Sequence, residues 1–433
     1  MKKVLIITYY WPPTGGSGVQ RWLKMSKYLP EYGWHPVIYT PENPESGIID
    51  NSLQKDIHEN LTVVKTKIKE PFEIYKKITG RKKGEMIGTG FLSEKKSDSF
   101  AEKLSVWIRG NIFIPDARML WIKPSVKFLT SYLKKKPVDL IVSTGPPHSM
   151  HLIALKVSKK LSVPWIADFR DPWTGIDFYH QLKLTRFADN KHKKLEKKVL
   201  KNAGGVITVN RTLASDLEKI SGRKVDVVTN GFDPDDYLIT NNNNISDKFL
   251  LCHLGSMNKD RNHEIFWRAL KELKNEIPGF ANDLHMELIG ATDYSVREIV
   301  KEYNLDNNVN YIKFAGHQTA INKAAEAQVL YLPLNNTPNA KGITPTKFFE
   351  YLAIRRPVLC IGPEDGDAAV IINETGCGIV AGFENYNKVK SALVDFYNQY
   401  KNRGEVNLNC NNINNYSRKI IAGKVAALFE KSI

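Results

Sequence analysis

Four short stretches of the sequence combine residue types and spacings that can do chemistry. The first is Pro12-Pro13-Thr14-Gly15-Gly16-Ser17-Gly18-Val19. Glycines let a backbone pass close to a ligand, and a helix that follows them offers unpaired N–H groups at the positive end of its dipole. A phosphate is the expected guest at Gly15 and Gly16, with Gly18 toward a second substrate. The stretch is neither Gly-x-Gly-x-x-Gly nor a P-loop with its Lys-Ser/Thr, which disfavours ordinary dinucleotide binding and nucleoside triphosphate hydrolysis. The second stretch is Thr344-Pro345-Thr346-Lys347-Phe348-Phe349-Glu350-Tyr351-Leu352-Ala353. Thr344 is suited to cap a helix with Pro345 at its first position, and that helix start again faces an anion. Lys347 and Glu350, three apart, share a helix face. Their plain reading is a surface ion pair. Their functional reading gives Lys347 a phosphate and Glu350 the hydroxyls of a ribose.

The third and fourth stretches are Ser143-Thr144-Gly145-Pro146-Pro147-His148 and Ala167-Asp168-Phe169-Arg170-Asp171-Pro172-Trp173. Both follow predicted strands, and ligands of open α/β sheets sit beyond the strand C-termini. Asp168 or Asp171 is then placed to orient or deprotonate an acceptor hydroxyl, with His148 as a further candidate, and Arg170 to hold a phosphate. The competing reading is an Asp-Arg-Asp cluster that pairs internally and only shapes its loop.

Strands alternating with helices must position these loops. Val4-Leu5-Ile6-Ile7-Thr8 is a continuous apolar, β-branched run of the kind a parallel strand covered on both faces requires. A helical stretch follows from Val19 to Leu29, apolar at Val19, Trp22, Leu23 and Met25. Further strands are predicted over 34–40, 61–64, 140–142, 165–167 and 206–209, and a second series over 249–253, 284–289, 309–314, 329–332, 357–360 and 378–380. The pattern is α/β, with two Rossmann-like domains facing across a cleft. The predicted domains are 1–235, 236–415, and a C-terminal helix in 416–433 packing back toward the first. The Asn230-Gly231 turn and the run Asn241 to Asn244 mark the junction. Residues 65–125 interrupt the rhythm as a Lys-rich insertion interleaved with aromatics, including Phe72, Tyr75, Phe91, Trp107 and Trp121. Such a mixture suits a monotopic membrane patch, or apolar residues packed on the domain with wet lysines around them.

The glycine loop after the first strand, the Asn-Gly turn at the domain junction and the Pro-x-Lys-x-x-Glu-Tyr-x-Ala helix occur in order. Together they resemble retaining glycosyltransferase family 4, of the GT-B fold, whose similar members often build bacterial surface polysaccharides. The resemblance runs over most of the chain except 65–125. It implies a nucleoside diphosphate sugar as donor and a glycan or lipid-linked hydroxyl as acceptor. It also implies contact of Gly16 with the donor diphosphate or acceptor, and of Glu350 with the donor ribose. The family's first glutamate falls on Gly342, and its diphosphate-binding Arg and Lys fall on Ser256 and Arg261, so that Arg261 and Lys347 must carry more of the charge. Retention without an obvious nucleophile implies a front-face mechanism.

No cofactor is expected, and no metal: His, Cys and Asp show no ligand spacing, and Arg261, Lys347 and helix N-termini can offset the charge of a leaving diphosphate. The four cysteines (Cys252, Cys360, Cys377, Cys410) are scattered and read as free thiols of a cytoplasmic protein. Met1-Lys2-Lys3 leads straight into a strand too short for a signal h-region, and no run of about 20 apolar residues is present to span a bilayer. Net charge is +16. Residues 1–230 carry 40 Lys and Arg against 22 Asp and Glu, whereas the remainder carries 22 against 24. A surplus confined to one half points to a polyanionic partner: phosphate-bearing substrates and the anionic inner face of the membrane, rather than nucleic acid. Two alternatives remain. A nucleotide-sugar 2-epimerase of the same fold would need no acceptor surface. A membrane- or nucleic-acid-binding protein with a vestigial transferase site would explain the missing glutamate and arginine.

Overall fold

The computed structural model describes residues 1–45, 49–70, 100–237, 245–313 and 315–433. Two compact units divide the chain, one made of Met1–Thr229 with Ile421–Ile433 and the other of Asn230–Ile420.

In the first unit, strands β1 (Lys2–Ile7), β2 (Trp34–Pro41), β3 (Thr62–Thr66), β4 (Leu140–Gly145), β5 (Trp165–Phe169), β6 (Gly205–Thr208) and β7 (Asp226–Val227) form one sheet in the order β3-β2-β1-β4-β5-β6-β7. Every pairing is parallel. Its helices are α1 (Ser17–Tyr28), α2 (Phe100–Asn111), α3 (Met119–Lys135), α4 (Ser149–Leu161), α5 (Arg186–Asn202) and α6 (Arg211–Ser221). The apolar run of β1 is buried on both sides because its pleat sends alternate residues to opposite faces. Val4 and Ile6 join a cluster with Trp22 and Trp34, while Leu5 and Ile7 join another with Trp121 and Ile153. Strand order reverses between β1 and β4, so the loops after these two strands diverge and leave a crevice at the sheet's carboxyl edge.

In the second unit, β8 (Phe249–Leu254), β9 (Leu284–Ile289), β10 (Val309–Ile312), β11 (Val329–Pro333), β12 (Val358–Ile361) and β13 (Gly378–Ala381) form a parallel sheet in the order β10-β9-β8-β11-β12-β13. The helices that follow α6 are α7 (Glu264–Glu276), α8 (Phe280–Asp283), α9 (Tyr294–Glu302), α10 (His317–Ala325), α11 (Thr346–Ile354), α12 (Asp367–Thr375), α13 (Tyr386–Arg403) and α14 (Arg418–Glu430). Both sheets are α/β and doubly wound. Helix α14 carries a stripe of Ile421, Val425, Ala426 and Phe429, all buried in the first unit's core. Phe429 meets Trp34 edge-on at 5.1 Å and 75°.

The stretch 65–125 overlaps elements of the fold at both of its ends. Lys65 and Thr66 pair with Thr40 and Pro41 as the end of β3, and Trp121 and Ile122 are core residues of α3. Phe72, Tyr75 and Phe91 lie outside the described residues, as do Asn241 to Asn244 and Phe314. All four cysteines are free thiols, three of them buried.

Candidate functional site

The first unit presents its candidate residues on the loops after β1, β4 and β5. Gly16 has φ +91°, a conformation that favours glycine, and is solvent-exposed beside the half-exposed Gly15. Helix α1 starts there with no side-chain cap and no acidic residue in its first turn, so its leading N–H groups remain available to an anion.

Asp168 does not reach that surface. Its carboxylate is fully buried and accepts from Arg21 Nε (3.1 Å) and Nη2 (3.0 Å), Trp22 Nε1 (2.7 Å) and Thr144 Oγ1 (2.9 Å). An acid with four donors committed to it ties α1 to β4 and β5, and cannot take a proton from a substrate. This corrects the expectation that Asp168 does chemistry. Arg170 is likewise spent on the fold, donating from Nη1 to the Gly18 carbonyl (2.9 Å) and from Nη2 to the Pro146 carbonyl, and so clamps the glycine loop to the β4 loop instead of holding a phosphate. Neither residue pairs within the Asp-Arg-Asp stretch: both serve the fold, but through partners on other loops and on α1. Asp171 is the candidate carboxylate open to solvent.

His148 stacks on Trp173 at 4.6 Å and 4°, and is nearly buried. Burial first, then His151 and Arg170, hold its ring well below the usual histidine range, so it stays neutral and is a poor proton acceptor. Its neighbour His151 is buried and pushed down to about 3, chiefly by burial. His151 Nδ1 meets Ser143 Oγ at 2.8 Å, and Ser143 Oγ accepts from Trp165 Nε1 at 2.8 Å.

The second unit gathers a different set around the end of β8. Gly255 (φ +95°) turns the chain directly after that strand, and its α-carbon lies under the lysine: a Cβ there would be 3.6 Å from Lys347 Nζ. Helix α11 begins at Thr346, with Pro345 as its N-cap in extended conformation (φ −62°, ψ 147°) and no side-chain cap. Thr344 therefore lies one residue too early to cap it, which corrects that expectation. The uncapped start leaves its N–H groups available. Tyr351 Oη, on the same helix, accepts from Leu254 N (2.8 Å) and lies 3.3 Å from the Tyr331 carbonyl, which fixes α11 against the end of β8.

Lys347 Nζ lies 3.1 Å from His253 Nε2. Burial, then the neighbouring Arg261, push its pKa well below the usual lysine range, with Glu350 opposing. Arg261 donates from Nε to Asn335 Oδ1 and from Nη1 to the Ser256 carbonyl, both at 2.7 Å, so its guanidinium is held rigidly on the loop after β8. Ser256 is exposed and gives Arg261 its backbone oxygen. Glu350 is a quarter exposed, and its Oε1 pairs at 3.0 Å with His317 Nε2, not with Lys347. Gly342 lies in a short 3-10 turn, Ala340–Gly342, and brings no carboxylate. Two cations, a glycine turn and a free helix start thus converge in one unit, with a carboxylate one helical turn farther on. Sequence reasoning missed Arg21, His253 and His317. Each is recognisable only by a partner 33 to 147 residues away.

Comparison with known proteins gives this arrangement its class. The sequence model of Glycosyltransferase Family 4 matches residues 91–236, and that of Glycosyl transferases group 1 matches residues 237–418. A search of curated protein sequences finds no match. Among solved structures, the chain is similar to a sucrose-phosphate synthase from Thermosynechococcus elongatus (TM-score 0.61, 14% identity, 100% of this chain and 99% of that one). It is similar to a glycosyltransferase from Rickettsia africae (TM-score 0.61, 16% identity, 99% and 98%). It is also similar to a protein proposed to be a UDP-N-acetylglucosamine 2-epimerase from Listeria monocytogenes (TM-score 0.54, 10% identity, 100% and 96%). Transferases and epimerases share this fold, so the fold alone does not separate them. The two sequence models do, and the chain is a glycosyltransferase of the family 4 type with the GT-B fold.

Proposed function

We propose that the protein moves a hexosyl group, with retention, from a nucleoside diphosphate sugar to the hydroxyl of a lipid-linked or polysaccharide acceptor, in the assembly of cell-surface glycan. The observation that carries the reading is the convergence of Lys347, Arg261, Gly255 and the start of α11, a cradle for a diphosphate. Glu350 takes the ribose hydroxyls, and Ser256 adds a hydroxyl donor. On the first unit, the acceptor lies against Gly16 and Gly18, with the exposed Asp171 orienting its hydroxyl. As the bond from the sugar's anomeric carbon to the diphosphate breaks, the bond to the acceptor oxygen forms on the same face. The acceptor proton passes to the departing phosphate. The protein contributes position and charge stabilisation, both large terms in catalysis. Arg261, Lys347 protonated against the diphosphate, and a helix start can meet the leaving charge, so we infer that no metal or other cofactor is needed; full turnover in EDTA is the expected result.

The enzyme works at the inner face of the membrane as a peripheral protein. Among the described residues no helix is long and apolar enough to cross a bilayer. Support for peripheral contact comes from α5, whose exposed Lys191, Lys194, Lys198 and Lys201 share one face. Phe187 opens that helix at 74% exposure. Asn111, at the end of α2, accepts from the backbone of Thr185 at 2.7 Å, which brings exposed Trp107 and Ile112 to the same region.

Thermal-shift screening with UDP, GDP, ADP and their sugars tests the donor site. One nucleotide class should raise the melting temperature, and Glu350→Ala should abolish that rise. A Glu350→Ala variant that binds nucleotide like the wild type would remove the site assignment.

A further inference from the structure

His253 is completely buried at the end of β8, and its two ring nitrogens define its protonation. Nδ1 lies 3.0 Å from the carbonyl of Tyr331, which can only accept, so Nδ1 carries the hydrogen. The lone pair of the neutral ring is then on Nε2, 3.1 Å from Lys347 Nζ. Burial, followed by Lys347, holds this ring well below the usual histidine range against the opposing backbone groups of Tyr331 and Ser256, so it stays neutral at neutral pH.

We propose that His253 is a positioning residue for the donor diphosphate: it accepts one hydrogen of Lys347 Nζ and so directs the rest of that group at the turn of Gly255, where the charge of a bound diphosphate would hold it as an ammonium. The proposal rests on the reading of Lys347 as a diphosphate ligand. A lysine ends in a point charge on a flexible stem, and nothing in the side chain itself sets its direction. Around Lys347, Arg261 repels it, and Glu350 on its own helix, the carboxylate that attracts it, is already engaged by His317. A buried neutral acceptor holds the ammonium without neutralising it, which a carboxylate there would do. The need is sharper because Ser256 stands where the resembling family places an arginine, so the diphosphate depends on two well-placed cations.

The test compares nucleoside diphosphate binding by calorimetry on the full chain for wild type, Lys347→Met, His253→Gln, His253→Asn and the double variant His253→Asn/Lys347→Met, each with a thermal melt. Glutamine puts a carbonyl oxygen near the place of Nε2, whereas asparagine retains only the donor to Tyr331. Using whichever of UDP, GDP and ADP the wild type binds best, Lys347→Met and His253→Asn should each weaken binding about tenfold, the loss expected for one charge-assisted contact. His253→Gln should bind nearly as wild type, and the double variant no more weakly than Lys347→Met alone. Normal binding by His253→Asn beside a weakened Lys347→Met would overturn the proposal and leave the donor site standing. So would additive losses in the double variant, or equal losses in the Gln and Asn variants accompanied by lowered melts. If Lys347→Met itself binds as wild type, the donor-site reading fails and takes the proposal with it.

Discussion

Arg21 and Asp168 form a two-point ion pair with both side chains at 1% exposure or less, joining the first helix after the glycine loop to the end of β5. A buried pair of this kind is costly to break because the surviving charge is stranded without water, typically by about 3–5 kcal/mol. Asp168→Asn should therefore lower the unfolding free energy of the first unit, measured by urea titration, by that order while nucleotide binding by folded protein is retained. An Asp168→Asn enzyme that is as stable as wild type yet inactive would return this residue to the chemistry.

That pair also marks the limit of what the sequence discloses. Continuous apolar runs such as Val4 to Ile7 announce buried parallel strands, because burial on both faces leaves no other composition. The loops that follow them were equally legible, since glycine and the strand ends obey local rules. Pairings across 147 residues obey none, and Asp168 and Arg170 looked like surface chemistry until Arg21, Gly18 and Pro146 were found to occupy them. Thr344 failed for a subtler local reason. Pro345 sits in extended conformation outside the helix, so α11 opens one residue later than a cap at Thr344 would require. His253 offered only the signal of a polar residue inside a strand, which says that it has a partner but not which one.

Buried neutral imidazoles give stability a defined pH dependence. The folded rings of His151 and His263 bind a proton only near about 3 and about 4, each lowered chiefly by burial. In the unfolded chain they do so below about 6.5. Stability from these groups is thus complete above about 6.5 and is lost as pH falls toward the folded values, at up to about 1.4 kcal/mol per ring per pH unit. Glu70 and Glu196, whose carboxyls burial raises, act in the opposite sense, so the His151 contribution is read as the difference in slope between wild type and variant over pH 7.5 to 5. Urea midpoints should fall across it, and His151→Leu, though weaker at pH 7.5, should show a shallower slope. An unchanged slope would mean that His151 is not held neutral.

The last helix should stabilise the first unit through one large side chain. Phe429 is fully buried against Trp34, and its removal leaves a cavity in a core that cannot collapse around it. Phe429→Ala should cost about 3–5 kcal/mol of stability by chemical denaturation. Nucleotide affinity, which the proposed function assigns to the second unit, should survive below the new midpoint. A cost under about 1 kcal/mol would show that α14 is loosely attached.

Membrane contact makes the most exacting prediction, because charge and apolar surface should act separately. Each lysine near an anionic surface contributes about 1 kcal/mol, and that attraction is screened by salt. Lys191, Lys194, Lys198 and Lys201 lie on one exposed face of α5 and have no acidic partner among the described residues. Wild-type protein should co-sediment with phosphatidylglycerol vesicles at low salt, less at high salt, and poorly with phosphatidylcholine at either. Replacing all four lysines by glutamate should abolish the low-salt binding. Phe187→Ser should leave salt sensitivity intact while reducing the fraction that resists high salt, since Phe187 supplies apolar area and no charge. If the four-glutamate variant sediments like wild type, the basic face of α5 is a solvated surface and membrane contact must lie elsewhere.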